Sequence, residues 1–548
     1  MENRIAEDRE TPGLVKVAPN STAAGTTEKD ASGDVEKNDE LTAEKNSERA
    51  AKFRKYAPFA LSWTVLYTFC LYDNPAGITL PVFMAGTLFL LYLVAKKENG
   101  AAENGIRRFQ LSAAEKWFYG GSLMLLSLSG CTTASVPLQV LDSLAAILLI
   151  FSLLIAGYAG PAAAGKDLIW HIKSLLSAAL VPLTHLPEPL TDFLDFAREE
   201  KNGSGRNRAK GRRVAASVIT GFAIALPLLA FVLLMLSSAD LVFARFLEKA
   251  FESIRITEQI DDIVAIAAMA VFGFWCSYCL LRTFPSGHLF SERNTEKAGQ
   301  DPVIGITVTG LLTLVYLVFS VIQIAYLMLH MKLPAGYTYA EYAHEGFYQL
   351  LIVCVLNLAI VSVSSRIFNK NTILNVILLI MCACTGIMIV SSGMRMLLYI
   401  RVYYLTFLRI FVLWFLVVLG IWLGAVAVRI LRPEFHVYRL CVVSVTVLYI
   451  LFALAHPDYW IARYNMSAAE YSAETGIVYQ DPHYLTIMLS DDAVPAIARD
   501  PDLLAERRKR QRLEGNGTAY GYEQSRQSFR KFNFSTWIAD RYYSRNIP

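Results

Sequence analysis

Charge is scarce in this chain. Only 18% of its 548 residues are Asp, Glu, Lys or Arg and 54% are hydrophobic, whereas soluble domains carry charge on about a quarter of their residues. With a mean hydropathy of +0.38, that shortage excludes a soluble enzyme, a disordered scaffold and a collagenous fibre. Neither sign of charge dominates, since 51 basic residues face 47 acidic ones, and so small an excess points to no nucleic-acid partner. Cysteine is also sparse. Cys70, Cys131, Cys276, Cys279, Cys354, Cys382, Cys384 and Cys441 all fall within or beside apolar runs, which leaves the region after residue 456 without a disulfide framework. Cys276-Ser-Tyr-Cys279 has the C-x-x-C spacing but sits inside the apolar stretch Val264 to Leu281 with no histidine cluster near it, so it reads as two small packing residues. No metal and no cofactor is expected. No apolar segment follows a basic start before the first crossing, as a signal peptide requires. A P-loop, a zinc helix motif and a nucleophile elbow are missing as well, which argues against an ATPase or a soluble-type hydrolase and leans the reading away from an enzyme.

What the chain has in quantity is long apolar runs. A hydrocarbon core of about 30 Å takes roughly 20 apolar residues per helical crossing. The hydropathy places crossings over 56–72, 79–95, 117–133, 138–158, 214–238, 262–281, 303–329, 347–365, 373–392, 406–428 and 440–456. The expected fold is an all-α, polytopic integral membrane bundle of about 11 transmembrane helices. Residues 1–55 read as a disordered cytoplasmic tail, because their composition cannot bury enough surface to offset chain entropy. Arg49, Lys52, Arg54 and Lys55 precede the first crossing as a cytoplasmic anchor. From an inside amino terminus, the inner flanks and loops carry 26 Lys/Arg against 6 in the outer loops, as the positive-inside rule requires. The expected location is the cell membrane, with the carboxyl terminus outside.

Outside the transmembrane region 56–456, or in its loops, the sequence marks several pieces. The cytoplasmic loop 159–213 holds an expected interfacial helix from Lys166 to Leu183, stopped at Leu186-Pro-Glu-Pro, and a basic linker from Lys201 to Arg213. Within the external segment 239–261, Phe243, Leu247, Ala250 and Ile254 recur at helical spacing opposite charged residues, as in an amphipathic helix lying on a membrane. Residues 457–548 read as a small, mostly helical extracytoplasmic region, with short helices around Tyr484 to Leu489 and Asp502 to Leu513. The run Arg507-Arg-Lys-Arg-Gln-Arg512 reads as a solvated helix face.

Charged side chains in a crossing cost several kcal/mol unless they pair, snorkel or line water, so each is a functional candidate. Thr338 and Glu341 match a capping box that starts the eighth crossing, and Glu341 and Glu345 share one helix face. Arg395, Arg401 and Arg409 fall on the same outer side. Thr406 is placed to cap the tenth crossing, which sets Arg409 one turn inside. Glu341, Glu345, Arg395, Arg401 and Arg409 are therefore expected to meet, either as an ion-pair clasp or as a site for an anionic lipid headgroup or small molecule, with Arg401 and Arg409 as contacts. Asp73 and Asp142 also face outward and are weaker candidates, as base or metal ligand of a glycosyltransferase using a lipid-linked donor.

Three pieces carry a family resemblance: Tyr339-Ala-Glu-Tyr-Ala-His-Glu-Gly-Phe347, then Arg395-Met-Leu-Leu-Tyr399 with Tyr403-Tyr-Leu-Thr-Phe-Leu-Arg409, and Tyr484-Leu-Thr-Ile-Met-Leu-Ser-Asp-Asp-Ala-Val-Pro495. In these the chain resembles bacterial polytopic membrane proteins of the domain-of-unknown-function 4173 and 4153 type, over roughly residues 60–500. The resemblance implies a bacterial inner-membrane protein and a glycine where this chain has Tyr404; it implies no particular activity. The readings left open are a transporter or envelope sensor with an outward polar site, a lipid-linked glycosyltransferase, and a non-catalytic assembly platform. The lipid bilayer is the one partner the sequence requires.

Overall fold

Within hydrocarbon every backbone N–H and C=O must be satisfied inside the chain, which leaves helices as the local solution for long apolar runs. The computed structural model of the protein describes residues 27–74, 76–100, 108–160, 168–201, 236, 240, 242–243, 245, 258–285, 300–325, 347–369, 371–475, 483–514 and 529–546. Among the described residues the structure is helical with no strand, apart from one isolated bridge between Gln300 and Phe368. In chain order the helices are α1 (Thr27–Leu71), α2 (Thr79–Gly100), α3 (Ala113–Thr132), α4 (Val136–Ala159), α5 (Leu168–Thr184), α6 (Glu188–Lys201), α7 (Glu258–Thr283), α8 (Pro302–Gln323), α9 (Phe347–Ile367), α10 (Thr372–Tyr403), α11 (Phe407–Leu431), α12 (Val437–Leu454) and α13 (Pro457–Thr475). A π-helical turn (Tyr484–Met488), a 3-10 turn (Asp491–Ala493), α14 (Val494–Ile497), α15 (Pro501–Glu514), a second 3-10 turn (Phe529–Lys531) and α16 (Phe534–Asn546) complete the tail.

Eight helices among the described residues are long and apolar enough to span a bilayer: α2, α4, α7 from Asp262, α8, α9, α10 up to Arg401, α11 and α12. The protein is a helical membrane bundle. Residues 56–71 of α1 and all of α3, over which crossings are also expected, are helical without belonging to those eight. Apart from Leu236, the crossing expected over 214–238 lies outside the described residues, as do the basic linker from residue 202 to 213 and most of the segment 239–261.

Local chemistry sets the helix starts. Ser112 and Glu115 form a full capping box at α3, Asp301 caps α8 ahead of Pro302, and Asn371 accepts from Ile373 N and Leu374 N at the start of α10. Two starts and lengths differ from expectation. α1 begins at Thr27, inside the segment read as disordered. The composition argument concerned burial, whereas a helix rich in Ala, Glu and Lys forms from local propensity and pairs such as Lys52–Glu48 (2.6 Å). α10 has 32 residues and continues eleven beyond the expected end of its crossing. At 1.5 Å per residue it is about 48 Å long, more than the hydrocarbon thickness, so its last turns carry Arg395 and Arg401 on helix rather than in a loop.

The chain divides into two compact units, residues 1–55 with 189–223, and residues 56–188 with 224–548. In the first, the basic residues read as a membrane anchor take acidic partners on α6. Arg49 pairs with Asp195 (3.6 Å) and Arg54 with Glu199 (3.5 Å), while the Phe53 ring packs against Phe193 and Phe196.

Among the described residues the second unit holds four buried clusters, the smallest around Ile155, Tyr158 and Phe284 and the other three larger. One runs between α9, α10 and α11 and includes Cys354, Leu378, Met381, Leu416 and Leu419. Another joins α3, α4 and α12 through Leu123, Leu126, Leu138, Leu153 and Ala453. The third is the tail, built on Ile461, Leu485, Val494, Ile497, Leu504 and Tyr543. The short helices expected around Tyr484 and Asp502 appear as the π-helical turn and α15.

Candidate functional site

The tail docks against four turns of its own unit, and polar groups do the docking. At the α1–α2 turn, Asn74 Nδ2 donates to Cys70 O, Thr79 Oγ1 and Arg530 O, and Ile78 N donates to Phe532 O (2.9 Å). A Cβ on Gly77 would lie 2.0 Å from the Arg530 carbonyl oxygen, so only glycine admits that approach. Asp73, at φ 50°, holds Lys531 Nζ at 2.5 Å. At the α3–α4 turn, Asp492 accepts from Thr133 Oγ1 (2.5 Å) and Ala134 N (2.8 Å), and Asn533 donates to Thr133 O. After α12, His456 Nδ1 lies 3.4 Å from Asp492, and Asp458 accepts from Ser490 Oγ at 2.6 Å. At the α10–α11 turn, Asn465 brackets Leu405 by bonding both its N and its O, and Phe407 N donates to Tyr484 Oη. The family-like stretch from Tyr484 to Pro495 supplies Tyr484, Ser490 and Asp492 to these contacts.

Burial pushes the Asp492 carboxyl up, but bonds from His456, Ser535, Thr133 and Ala134 outweigh it and hold the group below its ordinary 3.8. The bond to Asp492 raises the His456 imidazole above 6.5, and Asp458 is raised by burial.

The first turns of α9 and α11 and the last turns of α10 enclose a cleft of about 150 Å³ lined by Phe347, Tyr348, Met396, Tyr399, Thr406, Leu408 and Arg409. Arg409 stands in the first turn of α11, where its guanidinium stacks over the Tyr399 ring (4.4 Å) and its Nη1 donates to the Tyr403 and Tyr404 carbonyls. A cation at those carbonyls complements the negative end of the α10 dipole. Nε and Nη2 of Arg409 have no protein acceptor among the described residues. Thr406 occupies the N-cap position of α11 as expected, although its side chain makes no cap bond.

One turn before Tyr399, Arg395 is buried and donates from Nη2 to Gln323 Oε1 of α8 (3.1 Å), which also accepts from Ser391 Oγ (2.6 Å). Arg401 is exposed. Glu341 and Glu345 lie outside the described residues. The structure thus brings Arg409 and the Arg395 turn of α10 to one cleft and leaves Arg401 on the surface. Gln323 and Ser391 were not singled out in the sequence; a lone glutamine in an apolar helix, where an unpaired amide is costly, was the available signal.

Tyr404 links the two parts of the site. Its backbone lies at φ 62°, ψ 179°, a region that glycine alone occupies readily, and this is the position where the family resemblance implies glycine. Tyr404→Gly is expected to stabilise the turn by about 1 kcal/mol, read as a higher midpoint of thermal unfolding in detergent.

The two weaker candidates fall elsewhere. Asp73 is engaged by Lys531 in the docking of the tail. Asp142 is 3% exposed in α4, where Tyr449 Oη donates to it at 2.7 Å. Among the described residues no group of three or more His, Cys, Asp or Glu is placed to hold a metal.

No curated protein and no solved structure matches the chain. The family described as Domain of unknown function (DUF4153) matches residues 120–499, a span from α3 to the segment after α14 that takes in the cleft and Asp492. The chain is a polytopic helical membrane protein of the DUF4153 family.

Proposed function

We propose that the protein is a transporter or envelope sensor whose outward-facing cleft binds an anionic ligand, either a lipid headgroup or a small solute. The observation that carries this reading is Arg409. Its Nη1 is committed to the α10 carbonyls and Tyr399 holds the guanidinium plane, which leaves Nε and Nη2 in the wall of a cleft. A planar fork fixed in this way suits a carboxylate or phosphate. The outward assignment is supported by the tail, because the turns it engages, at 73–78, 133–135 and 404–407 and after residue 454, are those that the alternating threading sets on one side. With the amino terminus inside the cell membrane, that side is the exterior.

The test is native purification from membranes followed by mass spectrometry of co-purifying lipids and small anions, for the wild type and Arg409→Gln. A headgroup or solute that accompanies the wild type and falls at least several-fold in a normally folded Arg409→Gln protein is the expected result. Equal recovery from both proteins would sink the proposal, and so would a variant that fails to fold while Tyr399→Leu, folded, keeps the ligand, because Arg409 would then be only a helix clasp.

A further inference from the structure

Among the apolar residues between α3, α4 and α12 stands one acid. Asp142 is the seventh residue of α4, about 9 Å along the helix from its tail-covered end at 1.5 Å per residue. Its Oδ1 accepts from Tyr449 Oη of α12 at 2.7 Å, and its Oδ2 has no hydrogen-bond partner among the described residues. Ser129 of α3, 1% exposed, faces the same carboxylate without a well-formed bond to it, and Ser129 Oγ is unpartnered too. From α11, Trp414 packs edge-on against the Tyr449 ring, and its Nε1 lacks an acceptor. Among the described residues Tyr449 is the one titratable group facing Asp142; α3 and α11 offer the uncharged Ser129 and Trp414.

An ionised carboxylate with a single hydrogen bond at this depth is costly. A neutral carboxylic acid keeping the Tyr449 bond costs less at that depth. Polar side chains line part of the way to it from the tail. His456, whose side chain is 36% exposed, touches Asp492; Asp492 holds Thr133, and Thr133 lies one helical turn from Ser129 on α3.

We propose that Asp142 is a proton-binding site, loaded from the tail-covered face. In the loading step a hydronium ion gives up one proton and becomes water, and the Asp142 carboxylate becomes the neutral acid. The step reverses when the pH on that face rises. No redox partner is involved, and the inference does not rest on the anion cleft.

The experiment uses the full-length protein in detergent, treated across a pH series with dicyclohexylcarbodiimide, an apolar reagent that adds to protonated carboxyls. Peptide mass spectrometry reads the label, and infrared difference spectra read the carboxylic-acid C=O band. Labelling at Asp142 is expected at low pH, falling about tenfold per pH unit above the group's pKa. The acid band is expected to be lost in Asp142→Asn, and the labelling profile of Ser129→Ala to shift from that of the wild type. Should Asp142→Asn fail to fold, the wild-type and Ser129→Ala profiles decide. A pH-independent label, or an absent label with no titrating acid band, overturns the proposal, as does a Ser129→Ala profile identical to that of the wild type.

Discussion

Arg507→Met is expected to unfold the tail while the membrane helices stay protected. Arg507 is 1% exposed, and every part of its guanidinium is used. Nη1 donates to Leu485 O (2.9 Å) and Thr486 O (3.3 Å), Nη2 to Leu489 O (2.8 Å), and Nε to Tyr543 Oη (3.1 Å), with Asp491 at 3.6 Å. The π-helical turn Tyr484–Met488 ends in carbonyls that its own backbone does not satisfy, and one side chain from α15 takes them up. Methionine roughly fills the volume but offers no donor. It leaves buried carbonyls and the Asp491 carboxylate without their cation, a loss of about 3–5 kcal/mol for a broken buried pair. A region of this size has a total stability of about the same magnitude. Hydrogen exchange resolved by peptide is expected to show lost protection over 484–546 and retained protection over 372–454. Arg507→Lys restores the charge but not the fork, so intermediate protection is expected. Unchanged exchange in Arg507→Met would show that the tail does not depend on this side chain.

The same residue shows where sequence reading stops. Arg507 lies in a run that reads as a solvated face, because α15 has too few apolar residues to announce a buried side. Its burial comes from carbonyls on a turn about twenty residues earlier and from Tyr543 on α16, and no periodicity records either. The crossings of α2, α4 and α7 to α12 were legible because twenty apolar residues in a row are a local signal with one physical solution. The position of Tyr404 was legible through the family resemblance, and its φ of 62° supplies the reason for the implied glycine. The anchor run Arg49 to Lys55 was legible as charge but not as ion pairing, since its partners Asp195 and Glu199 are about 145 residues away. The docking of the tail was not legible at all. Lys531 with Asp73 and Asp492 with Thr133 are single polar pairs, separated by 458 and 359 positions, without spacing or motif.

Those pairs make Asp492→Leu the counterpart of the Arg507 change, expected to release the tail from the α3–α4 turn without unfolding its core. The Asp492 side chain is fully buried, and its two oxygens hold Thr133 Oγ1 and Ala134 N while His456 approaches at 3.4 Å. Leucine leaves the part-buried Ala134 N–H and the buried Thr133 hydroxyl hydrogen without an acceptor, about 1–3 kcal/mol each at full burial. Thr133→Val added to Asp492→Leu is expected to cost less than it does alone, since the partner is already gone. The pH dependence carries a second signature. Asp492 is held below its ordinary 3.8, so its contribution is complete above that value and is lost as pH falls through the lower folded value. His456 is raised above 6.5 by Asp492, so its contribution is complete below 6.5 and is lost as pH rises through the raised value. Asp458, raised by burial, acts oppositely to Asp492, and its ionisation weakens docking as pH rises through its own shifted value. Wild-type protection of residues 529–546 is therefore expected to decline on the alkaline side as His456 loses its proton. In Asp492→Leu that decline is expected to shrink, because the largest cause of the His456 shift has been removed. Limited proteolysis across a pH series, with detergent and ionic strength fixed, measures both effects. An alkaline decline of equal size in the two proteins would assign the docking to groups other than this pair.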